Sequence, residues 1–277
     1  MSSMTMARSK TRSTGERALI ALALATAGLV LVVPLALIFT FALRQGVDVY
    51  LANILEPNTR HAAWLTMLTA LVVVPINIGF GIAVAWLVTR FRFWGRNVLL
   101  TVIELPFSIS PIVAGVTYLF LYGGQGLLGP TLQAAGMPVM FTVFAIFLVS
   151  LFVTAPYVAR ELIPLMQQQG RADEEAALSL GATGRQMFTY VTLPNIRWAL
   201  LYGAILCNAR VMGEFGAVSV VSGAIRGQTN TLPLQISLLF NDFNVTGAFA
   251  AATLLAFLAV VTIVLKSLLE WRGGGGH

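Results

Sequence analysis

Few residues in this chain are equipped for chemistry, and the placement of those few is informative. Arg210 and Glu214 stand inside an apolar run, where a single charge costs roughly 2.5–3.5 kcal/mol on insertion scales. Four apart on one helix, they share a face and can neutralise each other. The alternative is that Arg210 lends positive potential to an anion path, with Ser219 and Ser222 as hydrogen-bond donors. A second group is the acidic run Asp173-Glu174-Glu175, suited to the first turn of a helix. Glu104, and Arg160 beside Glu161, read as structural charges, the latter two as an interface pair. His61 and His277 are the two histidines and Cys207 the single cysteine. That supply offers no histidine ligand set or general base, no cysteine metal cluster and no intrachain disulfide. No Gly-x-x-x-x-Gly-Lys-Ser/Thr loop is present, so this chain is not expected to hydrolyse ATP itself. No catalytic, cofactor or metal residues are expected in it.

The elements that must hold these charges are membrane spans. Hydrophobic residues make up 57% of the 277, charged residues 10%, and the mean hydropathy is +0.84, so a bilayer is the expected solvent. Apolar stretches recur at about 18–43, 61–89, 97–122, 140–165, 198–222 and 245–269, each long enough to span. The expected fold class is all-α, a polytopic protein of six transmembrane helices. Its organisation is a cytoplasmic tail at 1–17, a membrane domain at 18–272 and a patternless glycine-rich tail at 273–277. The run 18–43 is too long for the core of a cleaved signal peptide. With the N-terminus inside, Arg90, Arg92, Arg96, Arg171, Arg185 and Arg197 share its side, while Arg44, Arg60 and Arg226 lie opposite. Basic loops stay cytoplasmic, so both termini are expected there. The excess charge of +6 is thereby explained without nucleic acid. Pro75, Gly79 and Gly81, then Pro106, Pro111 and Gly115, then Gly203, Gly213 and Gly216 sit within spans, serving close packing or lining a path that opens and shuts. Outside, Thr231 is placed to cap a short helix with Pro233 in its first turn.

The cytoplasmic segment 166–197 is longer than a turn requires. Its acidic start, the helix formers Ala176, Ala177 and Leu180, and a left-handed stop at Gly181 predict one short helix. A second, from about Thr183 to Val191, is expected to end before Pro194. Glu175, Ala176, Ala177, Gly181, Val191, Leu193 and Pro194 fall on every position of Glu-Ala-Ala, three residues, Gly, nine residues, Ile or Val, one residue, Leu-Pro. In this the chain resembles the importer permeases of the ATP-binding-cassette superfamily. The resemblance implies the type I importer permease fold, in which this loop is a cytoplasmic coupling helix seated in a groove on the ATPase subunit. Glu174, Glu175, Ala176, Ala177, Gly181, Leu193 and Pro194 would then carry the coupling.

Within that superfamily, Ala85-Trp86-Leu87-Val88-Thr89-Arg90-Phe91, Ile109-Ser110-Pro111 through Gly115, and Gly213-Glu214-Phe215-Gly216-Ala217 are similar to the W-type permeases of the Cys sulfate and thiosulfate importers, over roughly residues 15–272. Molybdate permeases share the Arg and Gly-Glu-Phe-Gly-Ala pattern, which leaves molybdate, tungstate or another oxyanion as the alternative substrate. The stretch Thr231 to Ile236 favours the sulfate type. The resemblance implies a bacterial inner-membrane complex working by alternating access. In it the chain pairs with a homologous CysT/CysU-type permease and two CysA-type ATP-binding subunits, which hold ATP and Mg2+. An extracytoplasmic sulfate- or thiosulfate-binding protein delivers the ion. An intramembrane enzyme is disfavoured by the near absence of His, Cys and paired carboxylates. An ATPase-independent carrier is disfavoured by the lack of visible inverted repeats.

Overall fold

A computed structural model describes residues 14–273, helices joined by turns. Most of the expected cytoplasmic tail at 1–17, up to residue 13, and the glycine-rich tail at 273–277, from residue 274 on, lie outside the described residues. In order the helices are α1 (Thr14–Ala27), α2 (Val33–Leu43), α3 (Val47–Leu55), α4 (Pro57–Arg90), α5 (Arg96–Ser108), α6 (Pro111–Tyr122), α7 (Gly129–Ala134) and α8 (Val143–Thr154). They continue as α9 (Pro156–Gln169), α10 (Ala172–Ser179), α11 (Gly184–Met187), α12 (Leu193–Met212), α13 (Gly216–Val221), α14 (Leu232–Asn241) and α15 (Val245–Gly273).

Among the described residues, three helices are long and apolar enough to cross a bilayer unaided: Ala18–Leu43, Pro57–Arg90 and Val143–Gln169. Two of the six expected spans are broken instead, at prolines and glycines, while the expected span 245–269 lies within α15. The expected span 97–122 is two helices, α5 and α6, bent by 108°. Pro111 opens α6 and forces Ser110 to extended ψ 134°, since its ring clashes with a helical predecessor. The expected span 198–222 begins earlier, as α12 at Leu193, and breaks at Gly213–Phe215 before α13.

Two prolines leave their helices unbroken. Five-residue π turns, Gly28–Val32 and Phe188–Thr192, each end two residues ahead of a proline, Pro34 and Pro194. A proline removes one N–H and crowds the carbonyl four residues back, and a locally widened turn accommodates both. The helix starting at Gly184 therefore runs through Pro194 to Met212. The expected stop before Pro194 is corrected accordingly.

At 34 residues, α4 is roughly 50 Å long at 1.5 Å per residue. It packs with α9 and α12 around Val73, Val158, Leu162, Met166 and Ile196. Apolar burial gains little against lipid tails, so such contact relies on small residues and close approach. Val158 sits between two glycines: a Cβ added to Gly81 would lie 2.6 Å from its Cβ, and one at Gly203 would lie 3.1 Å from its Cα. A second core joins α4, α6, α8 and α13 through Leu65, Ala114, Ile146, Val149 and Val218. There Gly115 lets α6 rest on the Ala217 carbonyl of α13. The second half of the first span leans on α15, where Phe41 stacks on Phe249 with ring centroids 5.1 Å apart.

Candidate functional site: a cytoplasmic helix and an intramembrane charge pair

The eight residues of α10 carry Asp173, Glu174 and Glu175 in the first turn. The helix ends as its sequence indicates. Gly181 has φ +87°, and the Ala182 amide donates to the Ala177 carbonyl across it at 3.1 Å. A Cβ at Gly181 would meet nothing within 4 Å, so backbone conformation, not space, asks for glycine there. Thr183 and Gln186 then form a reciprocal capping box that starts α11.

The acidic run divides. Glu175 and Ala176 face outward, whereas Glu174 is buried. Its carboxylate lies 2.6 Å from Arg90 Nε, and Oε1 accepts from Arg90 Nη2 at 2.9 Å and from the Thr192 hydroxyl at 2.8 Å. Arg90 also donates to the Met166 carbonyl. Leu193 and Pro194 lie at the start of α12, directly after Thr192. Two large apolar side chains of the segment 166–197 are also well exposed: Leu180, 90%, and Tyr190, 78%. In the sequence the signal for Leu180 is a large apolar residue beside a helix-terminating glycine.

In the membrane, Arg210 Nη1 and Glu214 Oε2 are 2.5 Å apart. The pair spans the end of α12, and Glu214 also accepts from the Ala217 amide at 3.0 Å, tying α12 to α13 across their break. Glu214 is enclosed, while 29% of the Arg210 side chain is exposed. Ser219 donates its proton to the Gly216 carbonyl. Ser222 is buried in the outer turn, its hydroxyl accepting from the Ala224 amide and its carbonyl from Thr229. Arg210 and Glu214 are thus brought together, and the two serines are engaged with backbone. Arg160 places its guanidinium 5.1 Å over the Phe107 ring. Glu104 is exposed on α5.

At the opposite end, Glu56 caps α4, accepting from the Thr59 amide and hydroxyl and from Asn58. Burial alone would push its carboxyl up, but these hydrogen bonds outweigh it and leave the group below its ordinary value. Gln235 of α14 reaches both Glu56 and Thr59, fastening α14 to the start of α4. Thr231 holds the cap position of α14 but its hydroxyl does not cap; the Leu232 amide donates to Thr66 instead. Midway through the bundle, Asn77 donates to Thr154 at 2.7 Å beside buried Cys207. The asparagine within an apolar run was the available signal for that contact. Among the described residues no three His, Cys, Asp or Glu side chains gather to hold a metal ion.

Spans of this kind define a multi-pass helical membrane protein, and its matches to known proteins give it the type I fold of ATP-binding-cassette importer permeases. The chain belongs to the family of binding-protein-dependent transport system inner membrane components, whose model matches residues 77–272. It is 52% identical over 258 residues to the sulfate transport system permease protein CysW of Escherichia coli (strain K12), covering 93% of this chain and 89% of that one. It is 32% identical over 246 residues to the same organism's sulfate transport system permease protein CysT, covering 89% of each. A crystal structure of a bacterial alginate ABC transporter in complex with alginate pentasaccharide-bound periplasmic protein superimposes with a TM-score of 0.77 at 18% identity, covering 92% of this chain and 93% of that one.

Proposed function

We propose that this chain is one permease subunit of an ATP-driven importer that moves sulfate or thiosulfate into the cytoplasm by alternating access. The observation that carries the mechanism is the two-sidedness of α10: Glu175, Ala176 and Leu180 are exposed while Glu174 is fixed inward. A small helix with one free face suits a groove on an ATPase. ATP and Mg2+ belong to two such subunits, of the CysA type, beneath the membrane. The continuous helix from Gly184 to Met212 supplies a lever from that face to the Arg210–Glu214 break. Arg210, partly exposed beside a helix break, offers positive potential to a passing dianion without the tight site that would hinder release. The similarity to CysW supports the substrate, and the similarity to CysT supports a homologous permease of the CysT/CysU type as the other half of a heterodimer. An extracytoplasmic binding protein delivers the ion, and the complex resides in a bacterial inner membrane.

Liposomes holding both permeases and the ATPase, supplied with loaded binding protein, should take up labelled sulfate only with ATP, with little competition from molybdate. Uptake without the ATPase would reject the importer mechanism, and a preference for molybdate would overturn the substrate alone.

A further inference from the structure

The three carboxylates of α10 lie in one helical turn, yet their surroundings differ completely. Asp173 and Glu175 are exposed; Glu174 and Arg90 have side chains only 10% and 9% exposed. Burying a charge pair is costly unless the geometry and the remaining hydrogen bonds are complete. Here they are nearly so: the guanidinium approaches both carboxylate oxygens, Thr192 donates to one of them, and Arg90 reaches the Met166 carbonyl. The contact joins α10 to the ends of α4 and α9 and to the π turn leading into α12. Its neighbours reinforce the same joint. Arg171 donates to the Thr89 carbonyl, Asn195 to Asp173, and Gln169 to the Asn195 carbonyl.

Glycines flank α10 on both sides, Gly170 with φ +71° and Gly181 with φ +87°. Attached only through these, an eight-residue helix could swivel when pushed, and the push would not reach the spans. We propose that Glu174 and Arg90 are positioning residues: they form the rigid joint through which α10 moves α4, α9 and α12 together, and Glu174 does not belong to the surface that docks the ATPase. This rests on the function proposed above, since a joint matters only if α10 is driven.

The test uses the complete complex in liposomes and reads two quantities, the amount of ATPase that co-purifies and the sulfate taken up per ATP hydrolysed. Glu174→Gln and Arg90→Gln should each retain the ATPase while uptake per ATP falls about fivefold or more, the lower end of typical coupling between sites. The double variant should be no worse than the poorer single, because both remove one interaction. An unchanged ratio, additive losses, or shedding of the ATPase by Glu174→Gln but not by Arg90→Gln would overturn the joint. If neither glutamine variant assembles, Thr192→Val decides, since it removes one donor without stranding a charge: a reduced ratio supports the joint and an unchanged one rejects it. A wild-type complex without ATP-dependent sulfate uptake would sink the importer reading and the joint with it. Transport by the wild type alongside fully coupled variants would sink the joint alone.

Discussion

Arg210 and Glu214 show how one pair can serve stability and function at once, and how the two can be separated. Glu214 is enclosed, binds Arg210 and holds the Ala217 amide. Removing only Arg210 strands a buried carboxylate, a change that in buried pairs costs up to about 3–5 kcal/mol. The partial exposure of Arg210 places this case toward the lower end. Arg210→Ala should therefore lower the thermal unfolding midpoint in detergent. Adding Glu214→Gln should recover most of the loss, because glutamine needs no counter-charge and can still accept from Ala217. If Arg210 also lends positive potential to the ion, sulfate uptake by the double variant stays low although its stability returns. Uptake that recovers together with stability would assign Arg210 to structure alone.

Between elements, the spacing of helices is set by what is missing from them. A Cβ at Gly81 would stand 2.6 Å from Val158 and 3.0 Å from the Ala159 nitrogen, whereas a Cβ at Gly79 meets nothing within 4 Å. Gly81→Ala should push α4 from α9 and destabilise by about 1–3 kcal/mol. Gly79→Ala, which relieves the same glycine flexibility without a clash, should be neutral or slightly stabilising. Matching midpoints for the two variants in detergent would argue against close packing at Gly81. That contrast also marks what the sequence could disclose. Hydropathy locates α4, and an acidic turn ending at glycine locates α10, because both signals are local. The bend at Ser110, the break after Met212 and the passage through Pro194 depend on how each proline is accommodated: an extended residue precedes Pro111, but a π turn precedes Pro194. Which carboxylate of the acidic run is buried depends on Arg90, 84 residues away, and nothing local in the sequence reports it.

For the whole molecule, the distribution of charge argues for one orientation. The end bearing α10 gathers Arg90, Arg92, Arg96, Arg171 and Arg185, while the far end has Arg44, Arg60 and an Arg226 already paired with Asp242. Retention of basic segments on the synthetic side would place α10 and both termini in the cytoplasm. The protein lends itself to a direct check, because its single cysteine, Cys207, is fully buried and offers a silent background for thiol labelling. Trp94 between α4 and α5 and Phe243 between α14 and α15 are both almost fully exposed, at opposite ends of the spans. Phe243→Cys should react with a membrane-impermeant maleimide in intact cells, and Trp94→Cys only after permeabilisation; the reverse pattern would invert the topology. Leu180→Cys carries the argument to the assembly. It too should need permeabilisation, and co-expressed ATPase should then protect it, whereas Trp94→Cys stays reactive. Equal labelling of Leu180→Cys with and without the ATPase would show that the free face of α10 is not where the energy enters.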